Sequence, residues 1–412
     1  MHRDKTESFF LNDIVSDKEP ILIESNIIDP ADPGKCAGVI PDNVSSEALQ
    51  KGEMFAKEID ENILTSFEKT GDKMVHVSTF VIINGIIYMT YYANDQTSHE
   101  DPKQQKARFA FCPADDLENK TFFDLQCIGD QCGGKEVNMV YDTIVMTMDN
   151  DTLFLMWTAS LSGKYYRLYR TYTISSGELG PVQINRFKVG NIVTDFSFTG
   201  IQSALTANGI GFKSMYSDIG IMQKLSTRVE NGVTYYFTGA YSGDFNFIIK
   251  SRDLVTWEYV SQPYFPNQSK WENATYVIGD KCYYFSRQHD DSPYGFLTYY
   301  DLKQETWATP VLISDCQSRS DFIVYNDNLY LFHAPIDRNH IGIIHVDLND
   351  LSKSSVVLQA HMKSSCFYPF IQHGHGGLPY TEGTPDTLYM SYTVSRSKIP
   401  LSKFNPQHYL NK

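Results

Sequence analysis

The chain has 412 residues, 49 acidic against 35 basic, and a formal net charge of -14. That length exceeds one small core but suits a single repeat architecture, and the acidity, without any Lys/Arg stripe, argues against nucleic acid as a partner. Aromatic residues make up 14%, which suits stacked sheets whose pleated faces are filled by flat and branched side chains.

The first fifteen residues contain no apolar core of the kind a secretory signal needs. A cytoplasmic chain is expected on that ground, or a secreted or periplasmic one if a leader has been removed. No run approaches the ~20 apolar residues of a membrane helix, so no membrane partner is expected. Seven cysteines without metal-type spacing read as free thiols. Residues 21–28 carry an apolar run, read as a candidate ring-closing strand. Residues 44–69 place Leu49, Met54, Phe55, Ile59, Ile63 and Leu64 near a 3.6-residue period behind the start signal Ser45-Ser46-Glu47. Residues 1–73 are therefore expected to form an N-terminal extension with a closing strand and a short helical lead-in.

From residue 74 one pattern recurs: strand, tight turn, aromatic return strand, loop, third strand. The turns fall at Asn84-Gly85, Asp149-Asn150-Asp151, Asn231-Gly232, Gly279-Asp280 and Asn326-Asp327-Asn328. Asn, Asp and Gly accept the positive φ that such hairpins require. The return strands begin Ile87-Tyr88, Leu153-Phe154, Thr234-Tyr235, Cys282-Tyr283 and Leu329-Tyr330, with a weaker last copy at Leu388-Tyr389. A sandwich does not need a near-identical unit repeated in this way. The expected fold is all-β, a β-propeller of six or seven four-stranded blades spanning 74–412. Residues 190–220 break the pattern and read as a long loop or a degenerate blade, which leaves the count open.

The third repeat contains Ser251-Arg252-Asp253-Leu254-Val255-Thr256-Trp257, echoed by Asp301-Leu302 with Trp307, by Asp347-Leu348 and by Asp116-Leu117. This S-x-D-L-x-x-W turn resembles the outer-strand motif of carbohydrate-active propellers, including sialidase-like and arabinanase-like enzymes. The resemblance implies that the Asp caps the turn and the Trp packs between blades; it implies nothing about the substrate.

In a propeller the innermost strands start at one rim of the central channel, where ligands bind. Counting back about nine positions from each turn gives His76, Tyr141 with Asp142, Gln223, Trp271 with Glu272, and Arg319 with Asp321; the last repeat offers Tyr368, with His361 nearby. These equivalent positions carry dissimilar polar and aromatic side chains, where a purely structural position would repeat one apolar type. Loops after the return strands add His99, Arg108, Arg167, His289 with Asp290 and Asp291, His333, Asp337, Arg338, Asn339 and His340. The run His373-Gly374-His375-Gly376 reads as a flexible loop, and neither metal nor cofactor is expected.

Three chemistries follow. The favoured one is a polysaccharide lyase that cleaves beside a uronic acid by β-elimination. It needs a cation or amide at the carboxylate, a base and an acid: Arg319 and Gln223, then His76, then Tyr141. The first repeat resembles that of ulvan-lyase-type and rhamnosyl-glucuronate-cleaving propellers, which implies His76, His99 and Tyr141 in those places. The second is a glycoside hydrolase of sialidase, arabinanase or rhamnosidase type with Asp142 and Glu272 as its carboxylates and Asp321 as a third. Only one arginine, Arg319, stands at a strand start, where the sialidase pattern implies three around the substrate. The third is a non-catalytic glycan-binding propeller in which Tyr368 and Trp271 stack on sugar faces. In each case the partner is an oligosaccharide or polysaccharide.

Overall fold

The computed structural model describes residues 8–11, 14, 16–23, 36–40, 44–213, 215, 218–263, 269–288, 294–314, 316, 318–334, 337–374 and 387–410. Among them strands dominate, with two α-helices, α1 (Ser46–Glu61) and α2 (Phe198–Ala207). None of the described helices is long and apolar enough to cross a membrane.

The strands form a β-propeller. Among the described residues, six sheets of four or more strands follow one another along the chain, with one two-stranded pairing beside them. Their innermost strands are Met74–Ile83, Lys135–Thr147, Ile219–Ile221 continued by Ser226–Glu230, Ser269–Ile278, Asp321–Tyr325 and Phe367–His373. The hairpin turns lie where the Asn, Asp and Gly residues place them. Asn84 and Gly85 have φ of 50° and 75°, Asn231 and Gly232 of 51° and 79°, and Asn326 and Asp327 of 47° and 60°. These left-handed pairs match the twist of the strands they join.

Inner-strand side chains clasp adjacent sheets. Thr79 Oγ1 accepts from Val145 N–H at 2.9 Å, Thr158 Oγ1 donates to Ile219 O at 2.8 Å, and Ser226 Oγ accepts from Val277 N–H at 2.9 Å. Asp321 Oδ2 accepts from Ile371 N–H at 2.9 Å, and Ser78 Oγ donates to Ser391 Oγ at 2.9 Å. The last bond joins the sixth sheet to the first and closes the ring. Between the sheets lie apolar layers; one packs Phe285 and Leu297 of the fourth sheet with Phe322 and Leu331 of the fifth.

The N-terminal extension behaves differently from expectation. Leu22–Ile23 pairs in parallel with Phe212–Lys213 and closes nothing; residues 24–28 lie outside the described residues. The strand that completes the sixth sheet is Ile63–Ser66, antiparallel to Pro400–Phe404. That sheet has three strands of its own, so its outer edge presents unpaired backbone groups, and Ile63–Ser66 satisfies them. Helix α1 starts where expected, with Ser45 Oγ accepting from Ala48 N–H at 3.1 Å. It buries Ala48, Gly52, Phe55 and Ile59, while Leu49 and Met54 are exposed. The helix ends at Glu61, and Ile63 and Leu64 are strand because the sheet edge needs them.

The described residues of 190–220 add to the third sheet and form no separate sheet of four strands. Arg186–Val189 and Ile192–Asp195 form a hairpin added to the outer edge of the third sheet, parallel to Thr256–Ser261, and α2 packs beside it. The S-x-D-L-x-x-W turn is built as its residues dictate. Asp253 Oδ1 accepts from Val255 and Thr256 N–H at 2.9 and 2.8 Å, and Ser251 Oγ accepts from Leu254 N–H at 2.9 Å. Trp257 is fully buried with Ile144 and Met156 of the second sheet.

Candidate functional site

Four of the innermost strands slip register against their return strands. The slips fall between His76 and Thr79, opposite Met156 and Thr158 in the second sheet, between Ser269 and Asn273, and between Phe367 and Phe370. Such bulges re-aim side chains. In three of the strands the bulge residue is left-handed: Val77, Asp142 and Tyr368, with φ of 55°, 53° and 59°. A β-branched valine in that region is a genuine outlier. Backbone strain of this kind gathers where side chains must converge.

They converge on a pocket of about 380 Å³ lined by Val77, Tyr92, Glu100, Pro102, Tyr141, Asp142, Asp218, Tyr241, Glu272, Arg287, Arg319, Arg338, Tyr368 and Arg396. A larger hollow of about 600 Å³ lies against the third and fourth sheets. Its Arg228 and Lys250 are already paired with Glu230 and Asp280.

The pocket is made of pairs. Arg319 Nη2 donates to Asp142 Oδ1 at 2.7 Å, and Arg287 Nη1 to Glu272 Oε2 at 2.6 Å. Arg396 Nε meets Glu100 Oε2 at 3.2 Å, and the Tyr92 hydroxyl donates to Glu100 Oε1 at 2.5 Å. The Tyr368 hydroxyl donates to Glu272 Oε1, and the Tyr241 hydroxyl to Asp142 Oδ2 at 3.3 Å. Tyr141 is hydrogen-bonded to the Asp218 carboxyl, and its oxygen also accepts from Ile219 N–H at 3.3 Å. Beneath the floor, fully buried Arg167 donates to the Asp142 carbonyl at 2.7 Å and to Thr158 Oγ1 at 2.9 Å, and burial pulls its pKa down.

The electrostatics separate the two acids that shift most. Burial works against the charge on Glu272, but Arg287, Arg319 and the Tyr368 hydroxyl outweigh it and hold the carboxyl at about 2. Burial lifts Asp218 to about 7; the Tyr141 hydroxyl opposes that shift, and the nearby Asp142, Glu272 and Glu100 add to it. For Arg319, burial opposes the charge and Asp142 with Glu272 more than restore it. Its Nη1 is buried without a partner among the described residues. Arg338 lies 5.5 Å from the Phe367 ring and has no carboxylate partner among the described residues.

No protein-family model matches the chain, and no curated protein matches it in sequence. Solved structures do match in fold. A Hadza microbial sialidase aligns with a TM-score of 0.55 at 11% identity, over 82% of this chain and 67% of its own. The phage phi92 endosialidase gives 0.50 at 10% identity, over 80% and 63%. The fold is that of the sialidase-like β-propellers. A Trypanosoma rangeli sialidase aligns at 0.49 and 12% identity, so the chain spans 57% to 67% of the length of these three proteins.

Within this propeller the residues selected from sequence divide clearly. Tyr141, Asp142, Glu272, Arg319, Tyr368 and Arg338 line the pocket. His76 does not. Its ring is stacked behind Tyr368 at 4.6 Å, its Nδ1 faces Thr393 Oγ1 at 3.0 Å, and burial with the Arg396, Arg319 and Arg338 charges pushes its pKa well down. Asp321 lies below the pocket, ion-paired at 3.1 Å to Lys224, which also donates to Ile371 O across the channel. Gln223, next to Lys224, is buried and off the pocket wall, and His99 is exposed on its loop. The side chains of Trp271, His289, Asp290 and Asp291 lie outside the described residues.

The remaining loop candidates are accounted for elsewhere. Arg108 is clamped by Asp72 at 3.0 Å and Asp124 at 2.6 Å within the first sheet. His340 bridges Asp337 at 2.7 Å and His361 at 3.1 Å on the surface. His373 Nε2 meets Val324 O at 2.8 Å, and His375 and Gly376 fall outside the described residues. Among the described residues no three His, Cys, Asp or Glu converge as metal ligands.

Sequence reasoning missed Arg287, Arg396, Glu100, Asp218 and Tyr241. It read strand starts and the loops after the return strands, so it found two of the four pocket arginines, Arg319 and Arg338. The available signal was antiparallel pairing: the end of each return strand lies beside the start of the strand before it, which puts Arg287 next to Glu272 and Tyr92 next to His76.

Proposed function

We propose that the chain is a glycosidase that releases a sugar acid whose anomeric carbon itself bears the carboxylate. In this reading Tyr368 is the nucleophile and Glu272 the acceptor of its proton. The observation that carries the reading is the hydrogen bond from the Tyr368 hydroxyl to Glu272, inside a cluster of four arginines. Burial and Glu272 raise the Tyr368 pKa, so the phenol is neutral at rest and needs a base as it attacks. Glu272, held at about 2, is charged across the working range and serves as acceptor rather than proton donor. A neutral phenol approaches a carboxylate-bearing carbon without the like-charge repulsion that an Asp or Glu nucleophile would meet. Sialidases use a tyrosine in this way.

Arg319, through its unpartnered Nη1, and Arg338 are the groups left to grip the substrate carboxylate. Six sheets of four or more strands support a count of six blades. A second reading keeps the same cradle: β-elimination beside a uronic acid, favoured by Tyr141, whose hydroxyl lines the pocket as a proton donor for the leaving oxygen. It lacks the base first assigned to it, because His76 is packed behind Tyr368.

One assay separates the readings. The protein is incubated with an aryl ketoside of sialic acid and with a uronate oligosaccharide. Release of the aryl group, reduced at least about 100-fold in Tyr368→Phe, supports the glycosidase. An unsaturated, ultraviolet-absorbing product from the uronate and no aryl release would replace it with elimination. Neither product, with binding retained, would leave a glycan-binding module.

A further inference from the structure

We infer that His340 and His361 form a surface site for a divalent transition metal, copper(II) or nickel(II) in preference to zinc. The site lies outside the pocket and does not rest on the glycosidase reading. Its starting point is strand register. His340 opens the strand His340–Val346, His361 ends Ser355–His361, and the two residues are direct partners in the antiparallel ladder. Directly opposite side chains are held close by the backbone itself. Here the ring centroids stand 4.6 Å apart, and His340 Nε2 lies 3.1 Å from His361 Nδ1.

That distance selects the metal. Bonds of about 2.0–2.1 Å from one ion to two nitrogens 3.1 Å apart enclose an angle of roughly 95–102°. The angle is close to that between neighbouring ligands of a square-planar or octahedral ion, and narrower than the tetrahedral angle of zinc sites. Water fills the other positions, because His361 is exposed and the His340 side chain is 25% exposed. Two imidazoles and water suit these ions, and the closed cage of a structural zinc site is absent among the described residues.

The nitrogens are prepared for the ion. Asp337 Oδ2 accepts from His340 Nδ1 at 2.7 Å, and Asp337 Oδ1 accepts from Asn339 N–H at 3.0 Å, so the carboxylate is itself pinned. A carboxylate on one ring nitrogen fixes the tautomer and leaves the other as a more basic lone pair, here His340 Nε2. His361 Nδ1 then supplies the hydrogen between the rings. When a metal enters, that hydrogen passes through water to the other nitrogen of the His361 ring, and both facing nitrogens bind the ion with no net proton released. The cations nearest in sequence are turned away: Lys363 pairs with Asp60, and Arg338 lies over the Phe367 ring at the pocket. Arg338 O accepts from Cys366 N–H and Asn339 O from Met362 N–H, both at 2.7 Å, so an ion adds one more link beside the segment that carries Arg338.

The test is a titration of the full chain with Cu²⁺, Ni²⁺ and Zn²⁺, with Cu²⁺ followed by electron paramagnetic resonance. The expected result is a single tight equivalent whose Cu²⁺ spectrum carries splitting from two imidazole nitrogens. His340→Gln and His361→Gln, each at a strand end, should remove that equivalent and keep only the background of the other histidines. Asp337→Asn retains both ligands and should bind about 10–100-fold more weakly. The same tight equivalent in His361→Gln would show an adventitious ion only and overturn the site. A wild-type spectrum without two imidazole nitrogens overturns it without any variant, and zinc bound more tightly than nickel overturns the choice of metal.

Discussion

Val77, Asp142 and Tyr368 show how one residue's backbone sets what the pocket contains. Each occupies the bulge of its strand in a left-handed conformation. In the first sheet this turns Val77 to the pocket and leaves His76 packed behind Tyr368; in the second, Tyr141 and Asp142 both reach the wall. Counting from the turns locates the right pair of residues, and only the bulge decides whether one of the two or both point inward. Arg338 belongs to the same scale. It is the cation left without a carboxylate among the described residues, so its contribution should appear in substrate affinity. Arg338→Gln is expected to raise KM for a carboxylated ketoside roughly 10–100-fold, the worth of a charged hydrogen bond of about 1.5–3 kcal/mol, with kcat changed much less. Steady-state kinetics on acidic and neutral aryl glycosides check this; equal effects on both would remove Arg338 from carboxylate recognition.

Among the elements, the hairpins were legible because their chemistry is local. Gly85 sits at φ 75° with open space around the position of a side chain, so a substitution there meets backbone strain and nothing else. Gly85→Val should destabilise by about 1–2 kcal/mol, seen as a lower denaturant midpoint with an unchanged slope. The return strand Asn328–His333 carries a less visible feature at its end. His333 is buried, neither ring nitrogen has a partner among the described residues, and burial lowers its pKa to about 4. The unfolded chain takes up this proton as pH falls through the ordinary value near 6.5, whereas the folded chain does so only near 4. Stability is therefore lost as the pH drops through that window, by at most on the order of 3 kcal/mol. Replacing His333 with Leu should narrow the difference in melting temperature between pH 7.5 and pH 5; an unchanged difference would show that another group governs acid sensitivity.

At the scale of the whole molecule, the ring is held by pieces of chain far apart in sequence. Ile63–Ser66 completes the sixth sheet, and Gly38–Ile40 extends the fourth against Val311–Ile313. Helix α1 lies on Ser355–His361 through Gly52, where an added Cβ would stand 1.8 Å from the Gln359 carbonyl oxygen. Glycine to alanine inside a helix ordinarily stabilises by roughly 1 kcal/mol. Here Gly52→Ala should destabilise, because the helix must lift off the sheet to admit the methyl group, and thermal unfolding gives the sign. Turn positions, the Asp-capped outer turns, the start of α1 and the repeat itself depend on neighbours within a few residues, and the sequence alone determined them. The closing strand, the buried face of α1, the fate of residues 190–220 and the partners in the pocket depend on which edge lacks a strand and which residue a bulge turns inward. Those are contacts between segments hundreds of residues apart, as between His76 and Thr393 or Asp142 and Arg319, and only the closed ring brings them within reach.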